Sequence, residues 1–274
     1  MYINEFSNYL RAKKSSENTI RAYGKDINQM LEVINKPVEN ITYTDLLNWQ
    51  GSISNLSSAS VARKITAIKQ YFKFLCKTGV IEKNIALDIE SVKIHNKETY
   101  YIPYEEAVKI IDYGKNPRDK ALFAMYITTG LRCSEILNLD LEQYNNDRIV
   151  VITKGNKERI VYLSDACRKY VDDYISYRAT LKNNGCNKLF VSNQGNHMSA
   201  NCVNDTLRCM AKRAGVEDYK KLHAHSLRHG FITEVADRYG VQVARDVVGH
   251  SSLAITNRYV HVNEETIRNV MMSM

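Results

Sequence analysis

Apolar residues recur at helical spacing through roughly the first 90 positions. The stretch SSENTIRAYGKDINQMLEVI sets Ile20, Tyr23, Ile27, Met30 or Leu31, and Ile34 on one face behind a Ser cap. In TYTDLLNWQ, Thr42 stands three residues before Asp45, the spacing of a capping box. The clearest helix is SASVARKITAIKQYFKFLCKTG. Its stripe is Val61, Ile65, Ile68, Phe72 and Leu75, and Gly79 is placed to end it. Residues 91–103, SVKIHNKETYYIP, are polar, lack an amphipathic period and end in Pro.

After this stretch YEEAVKIIDYG and RDKALFAMYITTG read as helices closed by Gly. The period then changes. RIVVITKGNKERIVYL is two β-branched runs around Lys154-Gly155-Asn156-Lys157, the pattern of an antiparallel hairpin. Helical spacing resumes to the end. In the closing NEETIRNVMMSM, Ile267, Val270, Met271 and Met274 share a face, so a helix there needs a surface to bury against. The pattern predicts a mainly α chain of two domains, the second holding a small antiparallel sheet. The boundaries expected are 1–92 and 104–274, with 93–103 as the linker.

The 274 residues suffice for two ordinary domains, and no apolar run approaches a membrane span. Six Cys are scattered without a CxxC pair, and the first residues lack a signal-peptide pattern. The expectation is a cytoplasmic protein with reduced thiols. A net charge of +8 favours a polyanionic partner, nucleic acid first. Arg63, Lys69, Lys73 and Lys77 flank the stripe of the clearest helix; they read equally as a solvated face or as a row that neutralises phosphates.

Candidate chemistry is spread over the second half. Arg132 follows Gly130-Leu131, Lys154 stands at the hairpin turn, and His225 and Arg228 share a helix face as HxxR. His250 follows Gly249, and Tyr259 comes nine residues later. His223, His225 and His229 form a cluster, but no HExxH, CxxC or grouped carboxylates support a metal. No metal or cofactor is expected. Together these groups suit a phosphodiester. Two planar guanidinium forks can hold the non-bridging oxygens, a His adds a donor, and a Lys protonates the leaving alkoxide. Tyr259 is then a nucleophile, which needs a base or a positive field because a phenol titrates near ~10. On its own pattern Tyr259 reads first as a packing residue.

The order Arg, hairpin Lys, HxxR, Gly-His, Tyr resembles the tyrosine recombinase family, closest to XerC/XerD-type site-specific recombinases and phage integrases. ENTIRAYGKDI, GLRCSEILNL, KGNKER, HSLRHGFIT and GHSSLAITNRYVHV match its boxes over nearly the whole chain. The resemblance implies a SAM-like helical core-binding domain and a catalytic domain that clamp duplex DNA. It further implies a metal- and ATP-independent strand transfer through a 3′-phosphotyrosyl bond to Tyr259. Arg132 and Arg228 would hold the scissile phosphate, Lys154 would protonate the 5′ oxygen, His225 would exchange a proton with Tyr259, and His250 would bond the phosphate. Lys157 is the rival of Lys154 and a further DNA contact; its neighbour Glu158 makes a surface pair an alternative. Glu135 is either a partner that holds Arg132 or one half of a surface ion pair.

The family assembles four protomers, of one or two kinds, on two DNA recombination sites, with the C-terminal helix docked on a neighbour. That helix docking on its own domain is the alternative. An accessory protein is a further partner the resemblance allows. The biological setting is chromosome-dimer resolution or mobile-element integration and excision. A type IB topoisomerase-like enzyme would share the chemistry without needing two sites, and a non-catalytic DNA-binding accessory protein would bind without cleaving.

Overall fold

A computed structural model describes residues 2–93, 100–153, 157–182 and 185–249. The chain divides into two compact units, Met1–Lys97 and Glu98–Met274. The first unit is helical: α1 (Ile3–Ala12), α2 (Glu17–Ile34), α3 (Tyr43–Ser52) and α4 (Ser58–Lys77). Ser16 caps α2 through a bond from the Thr19 N–H, and Thr42 and Asp45 form the expected capping box of α3. All five stripe residues of α4 are buried, and Gly79 follows its end at φ 74°. They pack with Phe6, Ile27, Met30, Leu46 and Trp49, each contributing about 1.5–3 kcal/mol from removal of apolar area.

The core of this unit also contains charge. Asp26 is 1% exposed. Its carboxylate takes Lys64 Nζ at 3.0 Å and the Arg63 guanidinium, and Lys64 also donates to Gln29. Paired in this way, the buried ions avoid the cost that either would incur alone.

The second unit carries α5 (Tyr104–Ile110), α6 (Pro117–Thr129) and α7 (Cys133–Asn138), followed by a three-stranded antiparallel sheet. Its strands are β1 (Tyr144–Asn145), β2 (Arg148–Thr153) and β3 (Lys157–Tyr162). The helices α8 (Asp165–Arg178), α9 (Ala200–Arg213), α10 (Ala224–Tyr239) and α11 (Val241–Val248) follow. The hairpin has the sense expected, with Val151 opposite Arg159 and Ile149 opposite Val161. Strand β1 is a two-residue addition that pairs with β2 and is too short to leave a periodic signal. Leu122, Phe123, Met125 and Tyr126 of α6 are all fully buried, so this helix is enclosed on every side and packs against α8 and α10. Among the described residues no helix is long and apolar enough to cross a membrane.

Candidate active site

The GLR tripeptide divides its work by residue. Gly130 ends α6 in the left-handed region at φ 58°, where a Cβ would lie 2.3 Å from the Phe231 ring of α10. Leu131 is fully buried and anchors the turn. Arg132 then caps α7 with its side chain 46% exposed. Glu135 accepts the Arg132 N–H at 2.8 Å and its Nη1 at 2.7 Å. That carboxylate is buried, and its two bonds hold Arg132 from the interior side.

Two more guanidinium groups reach the same carboxylate. Arg159 Nη2 stands 3.7 Å from Glu135 Oε2, and Arg228 Nη1 stands 3.9 Å from it. Burial pushes the Glu135 carboxyl up, but the N–H, guanidinium and charge of Arg132 and the charge of Arg228 outweigh it. The group is held below the usual carboxylate range. Arg228, 2% exposed, donates to the Gly130 carbonyl and to the Val248 carbonyl at 3.4 Å. The HxxR box is thereby tied to the GLR turn on one side and to the end of α11 on the other.

The three clustered histidines have separate tasks. His223 caps α10, its Nδ1 accepting the Ser226 N–H at 2.8 Å. His229 is buried and stacks on Tyr101 with ring centroids 5.0 Å apart. His225 keeps its ring exposed in the first turn of α10, one turn before Arg228. The protein atoms crowded around it hold its pKa below the ordinary histidine value, with His223, Arg228 and Arg132 adding to the shift. At neutral pH it is an uncharged ring able to accept a proton. The N–H groups at the start of α10 add positive potential at the same place.

The site thus joins Arg132, Glu135, His225 and Arg228. Sequence reasoning missed Arg159, which shares the interior-facing register of β3 with Val161, and the capping task of His223. Lys154, His250, Tyr259 and the stretch from Ile267 to Met274 lie outside the described residues, as does the side chain of Lys157. Among the described residues no cluster of His, Cys, Asp or Glu is arranged to hold a metal ion.

In the first unit Lys73 and Lys77 are exposed and Lys69 is half-buried. Lys77 Nζ and Lys13 Nζ stand 6.0 and 4.4 Å from the centre of the Tyr9 ring, so the basic row extends to α1. Arg63 differs from its companions, because its guanidinium already serves Asp26.

The model of the phage integrase family matches residues 101–266. The chain belongs to the phage integrase family. Residues 3–79 match the N-terminal SAM-like domain of phage integrases. The chain is 29% identical to tyrosine recombinase XerC of Caldanaerobacter subterraneus, over 98% of this chain and 85% of the relative. It is 28% identical to tyrosine recombinase XerC of Staphylococcus aureus, over 98% and 94%. Among solved structures it is similar to XerA recombinase, at 26% identity and TM-score 0.57, covering 99% of this chain and 97% of that one. It also shares the fold of XerH site-specific recombinase bound to its difH substrate, at 20% identity and TM-score 0.73, over 98% and 84%. As a phage integrase family member this close in sequence to XerC proteins, the chain is a tyrosine site-specific recombinase.

Proposed function

We propose that the protein cuts and rejoins double-stranded DNA at a recombination site, with Tyr259 as nucleophile. The observation that carries the reading is the exposed Arg132 fork, held by a buried carboxylate beside His225, Arg228 and the positive end of α10. This arrangement fits a phosphodiester passing through a five-coordinate state, because planar donors meet the two oxygens on which charge builds up. The phenol oxygen of Tyr259 bonds to phosphorus as the bond to the 5′ oxygen breaks. The phenol proton goes to the neutral His225, and Lys154 delivers one to the departing 5′ oxygen. His250 donates to the phosphate. A 5′-hydroxyl from a partner duplex then reverses the step. One phosphoester replaces another, so no nucleotide need be hydrolysed.

The family resemblance supports a four-protomer assembly on two sites, with the apolar face of Ile267, Val270, Met271 and Met274 docked on a neighbour. The basic row Lys69, Lys73, Lys77 and Lys13 supports a core-binding task for the first unit, with the second unit as the catalytic domain. Lys157 is proposed as a DNA contact on the hairpin. The experiment is covalent trapping on nicked suicide duplexes. Wild-type protein is expected to form a covalent protein–DNA adduct, and Tyr259→Phe is expected to bind the same duplex without one. Adducts that persist in the variant would remove Tyr259 from its role. Relaxation of a plasmid lacking any target site would favour a topoisomerase-like activity, and binding without cleavage on any duplex would favour an accessory protein.

A further inference from the structure

Arg159 occupies an unexpected place for a charged residue. It lies opposite Val151 on β3, on the face that also carries Ile149 and Val161 into the core, and its side chain is 15% exposed. A guanidinium on the inner face of a sheet needs acceptors at its end. It finds one hydrogen-bond acceptor and one counter-charge, on different elements, while its Nε and Nη2 have no hydrogen-bond partner among the described residues. Nη2 stands 3.7 Å from Glu135 Oε2 on α7, and Nη1 donates to the Val247 carbonyl in the last turn of α11. The last carbonyls of a helix have no partner within it and attract cations. Here Arg159 serves Val247 while Arg228 serves Val248. Immediately beyond, Gly249 closes α11 at φ 64° with the Arg159 side chain alongside, at distances a Cβ would meet as ordinary contact.

From this placement we infer that Arg159 is a positioning residue for strand transfer, fastening the hairpin to Glu135 and to the C-terminal end of α11. The inference rests on the strand-transfer reading above. Arg159 does not need to touch DNA. Through Glu135 it fixes the angle at which Arg132 is presented. Through Val247 it fixes the end of the helix from which the chain continues into Gly249-His250. The strand that bears it begins three residues after Lys154 in sequence. One side chain therefore joins three of the segments that supply the reacting groups, and a broad planar guanidinium can donate to a carbonyl with one nitrogen while setting its charge beside a carboxylate with the other, which a compact ammonium does less well.

The test uses the full chain and the duplex that wild-type protein selects as a covalent adduct from a randomised pool of nicked suicide duplexes. Single-turnover cleavage, duplex affinity and thermal stability are measured for wild type, Arg159→Ala and Arg159→Lys. Arg168→Ala, which removes an exposed cation paired with Asp165, is the control for lost charge. Misplacing reacting groups by about 1 Å costs about 100-fold in rate. Arg159→Ala is expected to lose cleavage by about that factor with its duplex affinity within about threefold of wild type, and Arg159→Lys to recover about tenfold of the loss. A cleavage rate in Arg159→Ala within about threefold of wild type overturns the inference and leaves strand transfer standing. So does an equal loss in both variants, with affinity and stability falling alongside, because that pattern marks a purely structural group. Wild-type protein that forms no adduct overturns the strand-transfer reading and this inference with it.

Discussion

Glu135 holds Arg132 at two points, through the main-chain N–H at 2.8 Å and through Nη1 at 2.7 Å. The two bonds end on the two oxygens of one buried carboxylate, so an amide in its place keeps a single acceptor for two donors and loses the charge that holds the guanidinium. Glu135→Gln is expected to destabilise the fold by about 1–3 kcal/mol at neutral pH, read by chemical denaturation. The folded pKa lies below the ordinary value of 4.5, so this stabilisation is complete above that value. It fades as the pH falls through the depressed folded value. The wild type and Glu135→Gln should therefore differ at pH 7 and converge in strong acid. A constant difference down the whole pH range would contradict the charged clamp.

His225 should titrate below 6.5, because crowding and the neighbouring His223, Arg228 and Arg132 all disfavour its charged form. If the neutral ring accepts the proton of Tyr259, single-turnover cleavage stays level as the pH drops to 6.5 and declines only beneath it. An imidazole resonance titrating at or above 6.5 would show that the cations do not face His225 as described.

Gly130→Ala meets two obstacles at once, a left-handed backbone and a methyl 2.3 Å from the Phe231 ring. The expected cost is about 2–4 kcal/mol. Adding Phe231→Leu should relieve the clash and leave the backbone part, which a double-mutant cycle in denaturant will separate. Full recovery in the double variant would mean that the backbone conformation costs nothing.

The basic row of the first unit should not respond uniformly. Lys73→Ala and Lys77→Ala are each expected to lower the salt slope of duplex binding by about 1. Arg63→Ala should change it less, since its guanidinium is engaged with the buried Asp26. Instead it should lower stability, and Asp26→Asn more so, because Lys64 is left without its carboxylate. Equal salt effects from all three cations would place Arg63 on the phosphates after all.

Much of this architecture is legible in the sequence, and the reasons are specific. The α4 stripe and the Thr42–Asp45 box depend on neighbours within a few residues, so spacing alone reveals them. Gly130 and Gly249 mark helix ends for the same local reason. Asp26 and Glu135 are different. Whether a carboxylate is buried depends on which distant cations the fold brings to it, and Arg63, Lys64, Arg159 and Arg228 all come from other elements. Arg159 was hidden for a further reason. Strand β3 exposes Ile160 and Tyr162 on its outer face, so apolar alternation does not tell the inner side from the outer. The three histidines stand within seven residues and look like one group, yet a cap, an exposed ring and a stacked core ring are separated only by the turn of the helix.

The start of the second unit is strapped to the helix that carries the HxxR box. Tyr101 stacks on His229, and a Cβ on Gly230 would come within 2.6 Å of the Ile102 carbonyl. In mechanical terms this is an anchorage. Any pull applied along the chain from its N-terminal side arrives first at the middle of α10, at the two residues that follow Arg228, rather than at a loose end.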